Sequence, residues 1–534
     1  MRSSQLIVDS SKSRLCGIFE FVMLKNQRWQ LLLIAAVAFV ILLPISYAIT
    51  FYQNDDWCYY LTVQNFLGGN FTLHPYVGPT LYLQAFLGMV FAKFFGVSHL
   101  PVLTLLVGCA SLYVFLLILV EHLKVDFKWG LVLGALFFFN PLGVYELWGF
   151  MTNHYFLLFL LLGFYFFLKF EESRHQKYLV FYLFAIFCGL LVRQVSLVLP
   201  LAASVYFFFK KDLKLGALNF LAFALMYAFY AYLLPLTPRI IEVPLQFRHY
   251  VYFDYVYAVV YGSLLILTAY LLPLMLNCVD FKKLLKSPIA LLVCLIIGVA
   301  LFAGLNRIYK PDTISWGEFP YFENILERTG FYPRGVHGTK YYFAGNYDLW
   351  RYWDLAAKIT LCVVAVLGFH KVIRKNNIFG WFIAVYMVVM IATETFYDRY
   401  IYIMIPIAIF FLLSLNGELK KFTKISLVAF VLFLGYLNYL FSADFILVNT
   451  YVWGRSQALV NEGNIPPARI LGTNAWKLTH GAAGKKYLYI FSYDSAEVNK
   501  DFSQNRALVE KKTIDFPLNI FVNPNIYLYE KIGE

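Results

Sequence analysis

Charge is scarce in this chain. Only 14% of its 534 residues are Asp, Glu, Lys or Arg, against roughly 25% in a soluble globular protein. Hydrophobic residues make up 61% and aromatic residues 20%. No soluble domain has enough interior to hide that much apolar surface, so the expected solvent is lipid. Cysteine is also sparse. Seven are present, mostly inside apolar stretches, and only Cys58 falls in a segment assigned below to the outside. No disulfide framework follows. No Walker A sequence and no glycine fingerprint opening a βαβ unit occur, which argues against a nucleotide-driven pump or a cytoplasmic nucleotide-sugar enzyme. The His-x-x-His and His-Glu spacings of a zinc site are missing, so no metal site is expected on that ground. Short-period repeats and low-complexity segments are missing too.

What is there is a series of apolar runs. After a polar, basic stretch at 1–28 comes Leu31–Ile49, too long for a signal-peptide core and read as a retained first span. Twelve more runs follow, at about 100–120, 129–147, 154–170, 177–193, 196–209, 215–235, 253–276, 287–304, 354–370, 378–395, 400–415 and 425–441. The expected fold class is therefore mainly α, a polytopic bundle of about 13 transmembrane helices. A further apolar stretch, Gly78–Val97, is placed by parity. If it does not cross, the segments 1–28, 121–128, 169–177, 210–214, 277–286, 371–375 and 416–424 share one side. Those 74 residues carry 22 of the 44 Lys and Arg, as the positive-inside rule asks of the cytoplasmic side. If it crossed, the basic loops would face outward. Residues 78–97 are thus expected to lie along the outer membrane surface as an interfacial helix. The net charge of +13 is in large part a matter of orientation, and no nucleic-acid module accompanies it.

Three domains are expected. Residues 1–28 form a cytoplasmic N-terminus. Residues 29–441 form the membrane domain, with outer loops 51–99 and 305–353. Residues 442–534 form a small outer α/β domain, because Lys486–Phe491 and Asn519–Val522 alternate like strands.

The candidate chemistry starts at Asp55 and Asp56, directly after the first span. Two adjacent carboxylates at a membrane boundary cost desolvation energy unless they face water or a cation. The plainer account is a solvated acidic turn that ends a helix, since a two-residue motif is weak. Arg193 and Gln194 stand at the outer end of a later run, where an arginine is as readily a snorkelling or ion-paired structural group. Arg399 follows Asp398, and a local salt bridge between them is the bland expectation. In loop 305–353, the segment Gly330–Gly338 is glycine-rich and holds Arg334 and His337; it is either a lid or an ordinary solvated loop. A divalent cation at Asp55 and Asp56 is chemically open, because hard cations need only carboxylates and water. Trp57, Tyr59, Tyr60, Tyr341 and Tyr342 lie where a sugar could stack, against a background of aromatic residues that simply face lipid.

The order of elements after Asp55-Asp56 resembles the first outer loop of the GT-C membrane glycosyltransferases. It is closest to the branch of protein O-mannosyltransferases and the lipid A aminoarabinose transferase. The matching elements are Gly68-Gly69-Asn70, His74-Pro75, Gly78-Pro79-Thr80-Leu81-Tyr82 and Phe95-Gly96-Val97. The likeness continues through Phe150-Met151-Thr152-Asn153, Leu191-Val192-Arg193-Gln194 with Leu199-Pro200, Tyr397-Asp398-Arg399-Tyr400 with Ile405-Pro406, and Gly463–Ile470 with Trp476. This resemblance implies a GT-C-like fold and transfer of a sugar from a polyprenyl-phosphate donor to a hydroxyl of a lipid, glycan or protein acceptor. It implies Asp55 as general base, the outer face of a bacterial inner (plasma) membrane as location, and an outside C-terminus. Asp56 is expected to tune Asp55, hold a sugar hydroxyl or bind a cation, with His74, Asn153, Arg193, Gln194, Arg334, His337 and Arg399 as substrate contacts. Two departures stand out. Many relatives carry an acidic residue at the position of Asn153, for which Glu146 or Glu394 could substitute. The aminoarabinose transferase has a lysine where Gly78 precedes Pro79. The competing classes are a transporter, which would place ionisable groups near the bilayer centre, and a polysaccharide polymerase or ligase centred on outer-loop arginines.

Overall fold

The computed structural model describes residues 26–234, 253–279, 348–367, 371, 375–393, 396–481, 486–495, 505–519 and 524–532, with scattered positions between 288 and 338. The protein is mainly α-helical, with a two-stranded and a four-stranded sheet. Among the described residues, six helices are long and apolar enough to cross a membrane: Asn26–Tyr47, Val97–His122, Leu213–Tyr232, Tyr255–Asn277, Asp398–Asn416 and Lys421–Gly463. A seventh arises if Phe127–Phe138 and Pro141–Leu147, bent by 68°, count as one broken span. The bend follows from sequence. Asn140 leaves the helical region, its side chain accepts the Leu142 N–H, and Pro141 restarts the helix at a position that needs no N–H. Helices Gln176–Leu190 and Ile378–Ala392 are apolar but shorter, and run 287–304 lies largely outside the described residues. Thirteen full-length spans are more than the described helices supply.

Helix Asn26–Tyr47 exposes Trp29, Leu33, Val37, Val40 and Ile41. That surface suits lipid and would be costly in water. Helix Tyr82–Phe95 has 14 residues, about 21 Å at 1.5 Å per residue, which is short of a hydrocarbon core of roughly 30 Å. It buries Ala85, Gly88, Met89 and Ala92 against the bundle and exposes Phe86, Val90 and Phe94. Its length and its exposed apolar row suit a helix lying at the interface. Gly96, at φ +86°, ends it in a conformation that a side chain would strain.

Polar groups gather at the two ends of the bundle. At one end, buried Glu121 accepts from Arg28 Nη2 at 2.9 Å and from the Tyr165 hydroxyl at 3.1 Å, and Lys169 Nζ stands 3.1 Å away. At the same end of other helices, Lys371 donates to the Cys278 carbonyl and Asn416 Oδ1, both at 3.0 Å, and Asn277 links to Thr423. These contacts join segments that the charge count puts on one side. Replacing Glu121 with Ala leaves two cations without their carboxylate, and is expected to lower stability by about 2 kcal/mol. Thermal unfolding in detergent reads the change.

The last long helix, Lys421–Gly463, runs 43 residues without a break, so the expected domain boundary at 441/442 falls inside it. Beyond it, β3 (Ile470–Leu471), β4 (Tyr489–Ser492), β6 (Asn525–Lys531) and β5 (Arg506–Thr513) form one sheet in the order β3-β4-β6-β5. Among these four strands β3 and β4 pair parallel and the other two pairings are antiparallel. The alternating run at Lys486–Phe491 overlaps β4, while most of Asn519–Val522 lies outside the described residues. The sheet docks on the long helix through Trp453 Nε1 to Thr473 Oγ1 at 2.9 Å and Arg455 to Glu510 at 2.9 Å.

Candidate functional site

The end of the bundle opposite Glu121 brings together residues far apart in sequence. Asp55 occupies the N-cap position of helix Asp56–Leu67, yet its side chain caps nothing. Its carboxylate instead accepts a charge-assisted bond from Arg399 Nη1 at 3.1 Å. An aspartate at an N-cap ordinarily satisfies the first free N–H groups of its helix; this one is directed at a cation 344 positions away. Its side chain is 39% exposed against 17% for Arg399. The carboxylate is therefore accessible, while its partner is largely enclosed.

Around this pair the chain folds a second polar layer. Asn153 is buried, and its amide and backbone N–H donate to the Glu146 carboxylate at 2.5 and 3.2 Å. Its amide also lies 3.3 Å from the Arg399 carbonyl, and its Oδ1 accepts from Arg193 Nη1. Arg193 and Arg399 both lie over the Tyr400 ring, at 5.0 and 5.6 Å from its centroid, and Arg399 also lies 5.3 Å from the Tyr397 centroid. Two guanidiniums stacked on one ring are stiffened at little entropic cost. Segment 191–193 is fixed to the surface-helix region, where Leu83 N–H donates to the Leu191 carbonyl at 3.0 Å and Thr80 Oγ1 donates to the Val192 carbonyl at 3.1 Å. Tyr59 feels Asp55 and both arginines, and burial holds its phenol protonated by pushing its pKa well up.

Asp398 departs from expectation. It makes no salt bridge with Arg399. Its carboxylate accepts the backbone N–H groups of Asn324, Ile325 and Leu326 at 2.9–3.3 Å, and that of Arg399 at 2.7 Å. A carboxylate at the start of a helix is well placed to collect amide protons, which leaves the next residue free to reach Asp55. The docked loop continues as β1 (Leu326–Glu327) and β2 (Gly330–Phe331), with the Phe331 ring packed on Tyr145, Phe441 and Phe445.

Asp56 is also repositioned. It is fully buried and faces away from Arg399, accepting the Phe150 N–H at 3.1 Å. Burial pushes its carboxyl well above the usual carboxylate range; the Phe150 amide pulls the other way and the Asp55 charge adds to the rise. The two carboxylates thus turn to different partners, Asp55 to Arg399 and Asp56 to the Phe150 N–H. Among the described residues, no group of three or more His, Cys, Asp or Glu could hold a metal ion.

The remaining expected contacts do not join the cluster. His74 stacks against Tyr76 and packs edge-on to Trp57, centroids 5.8 and 5.2 Å away, and burial lowers its pKa. Gln194 opens a short turn, Gln194–Leu197, with no hydrogen bond to the cluster among the described residues. His337 belongs to the tail sheet: its N–H donates to the Phe491 carbonyl and its carbonyl accepts from Tyr493, both at 2.9 Å. Backbone pairing has captured a residue read as part of a lid or solvated loop. Arg334, Tyr341, Tyr342 and Glu394 lie outside the described residues. The structure adds Tyr397 and Tyr400 to the site, and it sets Glu146, one of the two carboxylates offered as a substitute at the Asn153 position, against Asn153 itself. The two tyrosines were visible as flanks of Asp398-Arg399 in the sequence, but nothing there marked them as a platform for two arginines. No protein-family model matches the chain, and no curated protein matches it significantly.

Proposed function

We propose that this protein is a GT-C-type membrane glycosyltransferase. It takes a sugar from a polyprenyl-phosphate donor and passes it to an acceptor hydroxyl of a lipid, glycan or protein on the outer face of a bacterial inner membrane. In this reading the membrane domain is the GT-C bundle of about 13 spans, the N-terminus is cytoplasmic and the sheet domain lies outside. The observation that carries it is the meeting of one accessible carboxylate, Asp55, with two ring-stacked arginines, Arg399 and Arg193, at one end of the bundle beside the interfacial helix.

That set matches the demands of the reaction. The acceptor is a neutral alcohol, and an ionised carboxylate within hydrogen-bond reach accepts its proton as the oxygen attacks the anomeric carbon. The bond between that carbon and the phosphate oxygen breaks on the opposite side, giving inversion. The departing polyprenyl phosphate keeps the electron pair. Negative charge grows on it, and guanidiniums fixed in advance stabilise that charge without reorganising. Arg399 has a further role: in the free protein it aims the Asp55 carboxylate, and on donor binding it bridges carboxylate and phosphate. Asn153 and Glu146 hold Arg193 in place. The prenyl tail stays in lipid beside the apolar surface, where its burial costs nothing.

The test is sugar transfer in membranes that contain the protein, with a panel of polyprenyl-phosphate sugars and a cell-derived acceptor extract. Transfer above that of membranes lacking the protein supports the reading. No transfer with any donor shifts the weight to a transporter or a polymerase. Arg193→Gln is expected to raise the donor KM by roughly tenfold, the scale of one lost charge-assisted contact.

A further inference from the structure

The buried half of the acidic pair poses a separate problem. Asp56 Oδ2 accepts the Phe150 N–H and the Gln53 backbone N–H also approaches the carboxyl group, but Asp56 Oδ1 makes no hydrogen bond of ordinary geometry among the described residues. Nearby, the Gln53 amide donates to the Tyr145 carbonyl at 2.7 Å, and its Oε1 is likewise buried without a partner. Both side chains close on one glycine. A Cβ at Gly149 would collide with Gln53 Oε1 and stand 2.7 Å from Asp56 Oδ2. Buried acceptors of the two side chains that converge on one glycine are costly, because acceptors repel and neither can donate. One proton removes both defects.

We propose that Asp56 is held as a neutral carboxylic acid whose O–H donates to Gln53 Oε1. Asp56 is then a positioning residue: it clamps the Gly149–Phe150 turn from which Asn153 and its helix start, and it does so without charge. Of the acidic pair, Asp55 alone is then left for the role of base, and only this last assignment rests on the glycosyltransferase reading. The ionisable groups around Asp56 agree with a neutral acid. Asp55 is of like sign, and burial holds Tyr52, Cys58 and Tyr60 neutral.

The proposal has a defined pH signature. The folded acid keeps its proton, while the unfolded one releases it above the ordinary carboxylate range. Unfolding therefore releases a proton, and rising pH lowers stability from about pH 4 upward. Asparagine reproduces the neutral acid: its NH2 reaches Gln53 and its oxygen accepts from Phe150. The experiment compares wild type, Asp56→Asn and Asp56→Ala in detergent or nanodiscs by thermal unfolding against pH and by infrared difference spectroscopy. The expected result is that Asp56→Asn melts at or above the wild-type temperature at neutral pH, loses the extra fall in stability with rising pH, and lacks one protonated-carboxyl C=O band. Asp56→Ala unfolds at clearly lower temperature. An Asn variant as unstable as the Ala variant, or one with an unchanged pH slope and unchanged carboxyl bands, overturns the proposal. Both readouts are independent of substrate, so they decide Asp56 whether or not sugar transfer is found.

Discussion

Asp55→Asn is expected to reduce sugar transfer by about three orders of magnitude while the protein stays folded. The magnitude is that of removing a positioned general base, roughly 10²- to 10⁴-fold. The separation from folding follows from geometry. Asp55 caps no helix N–H, and among the described residues its side chain pairs with Arg399 alone, in a half-exposed ion pair. Such a pair contributes about 1 kcal/mol at most, so the melting temperature should move by a few degrees. The amide of Asn keeps shape and hydrogen bonding but cannot take a proton from an alcohol. A transfer rate within tenfold of wild type would remove Asp55 from the chemistry.

The second large effect is expected at Arg399. Arg399→Gln removes the charge that aims Asp55 and the one best placed to meet a departing phosphate. Transfer should fall by about 10²- to 10³-fold, the scale seen when one preorganised electrostatic group is lost. Arg399→Lys should recover little of it. A lysine keeps the charge but lacks the planar fork that serves a carboxylate and a phosphate together, and it loses the stacking on Tyr397 and Tyr400. The bond from Asn153 to residue 399 runs to a backbone carbonyl, so Asn153 should hold its place in both variants. Full activity in Arg399→Lys would reduce the residue to a point charge and contradict the bridging role. Hydrogen exchange in segment 153–160 offers the check that the second layer has survived.

Much of the coarse architecture was legible because lipid is an unforgiving solvent. Apolar runs and basic loops are written into the chain by that constraint alone, and the segments grouped by charge, such as 28, 121 and 169, do meet through side chains. Stretch 78–97 was set apart from the spans by the parity of the basic loops, and its helix, Tyr82–Phe95, is shorter than those long enough to cross. The site was legible in part. Asp55, Asn153, Arg193 and Arg399 were each singled out from local pattern, and they form one cluster. Which residue answers which was not legible. Asp398 and Arg399 look like a salt bridge on adjacency, but the partner of each comes from a distant loop, and no local rule encodes a contact across 344 positions. Asp55 and Asp56 look equivalent as a dipeptide; helical geometry turns them about 100° apart, sending one to an arginine and the other into the core. The glycines beside His337 suggested a lid or a solvated loop, and nothing local announced its backbone pairing with β4, which is a tertiary event.

The measurement that tests the central claim most directly is release of polyprenyl phosphate from a matched polyprenyl-phosphate sugar, followed with sugar transfer in nanodiscs carrying wild type or Asp55→Asn. The account predicts that wild type forms one polyprenyl phosphate per sugar transferred, with the anomeric centre inverted and release dependent on the acceptor, and that Asp55→Asn forms neither product at a comparable rate. Donor or acceptor moving across the membrane without cleavage, or equal release by both proteins, would contradict it.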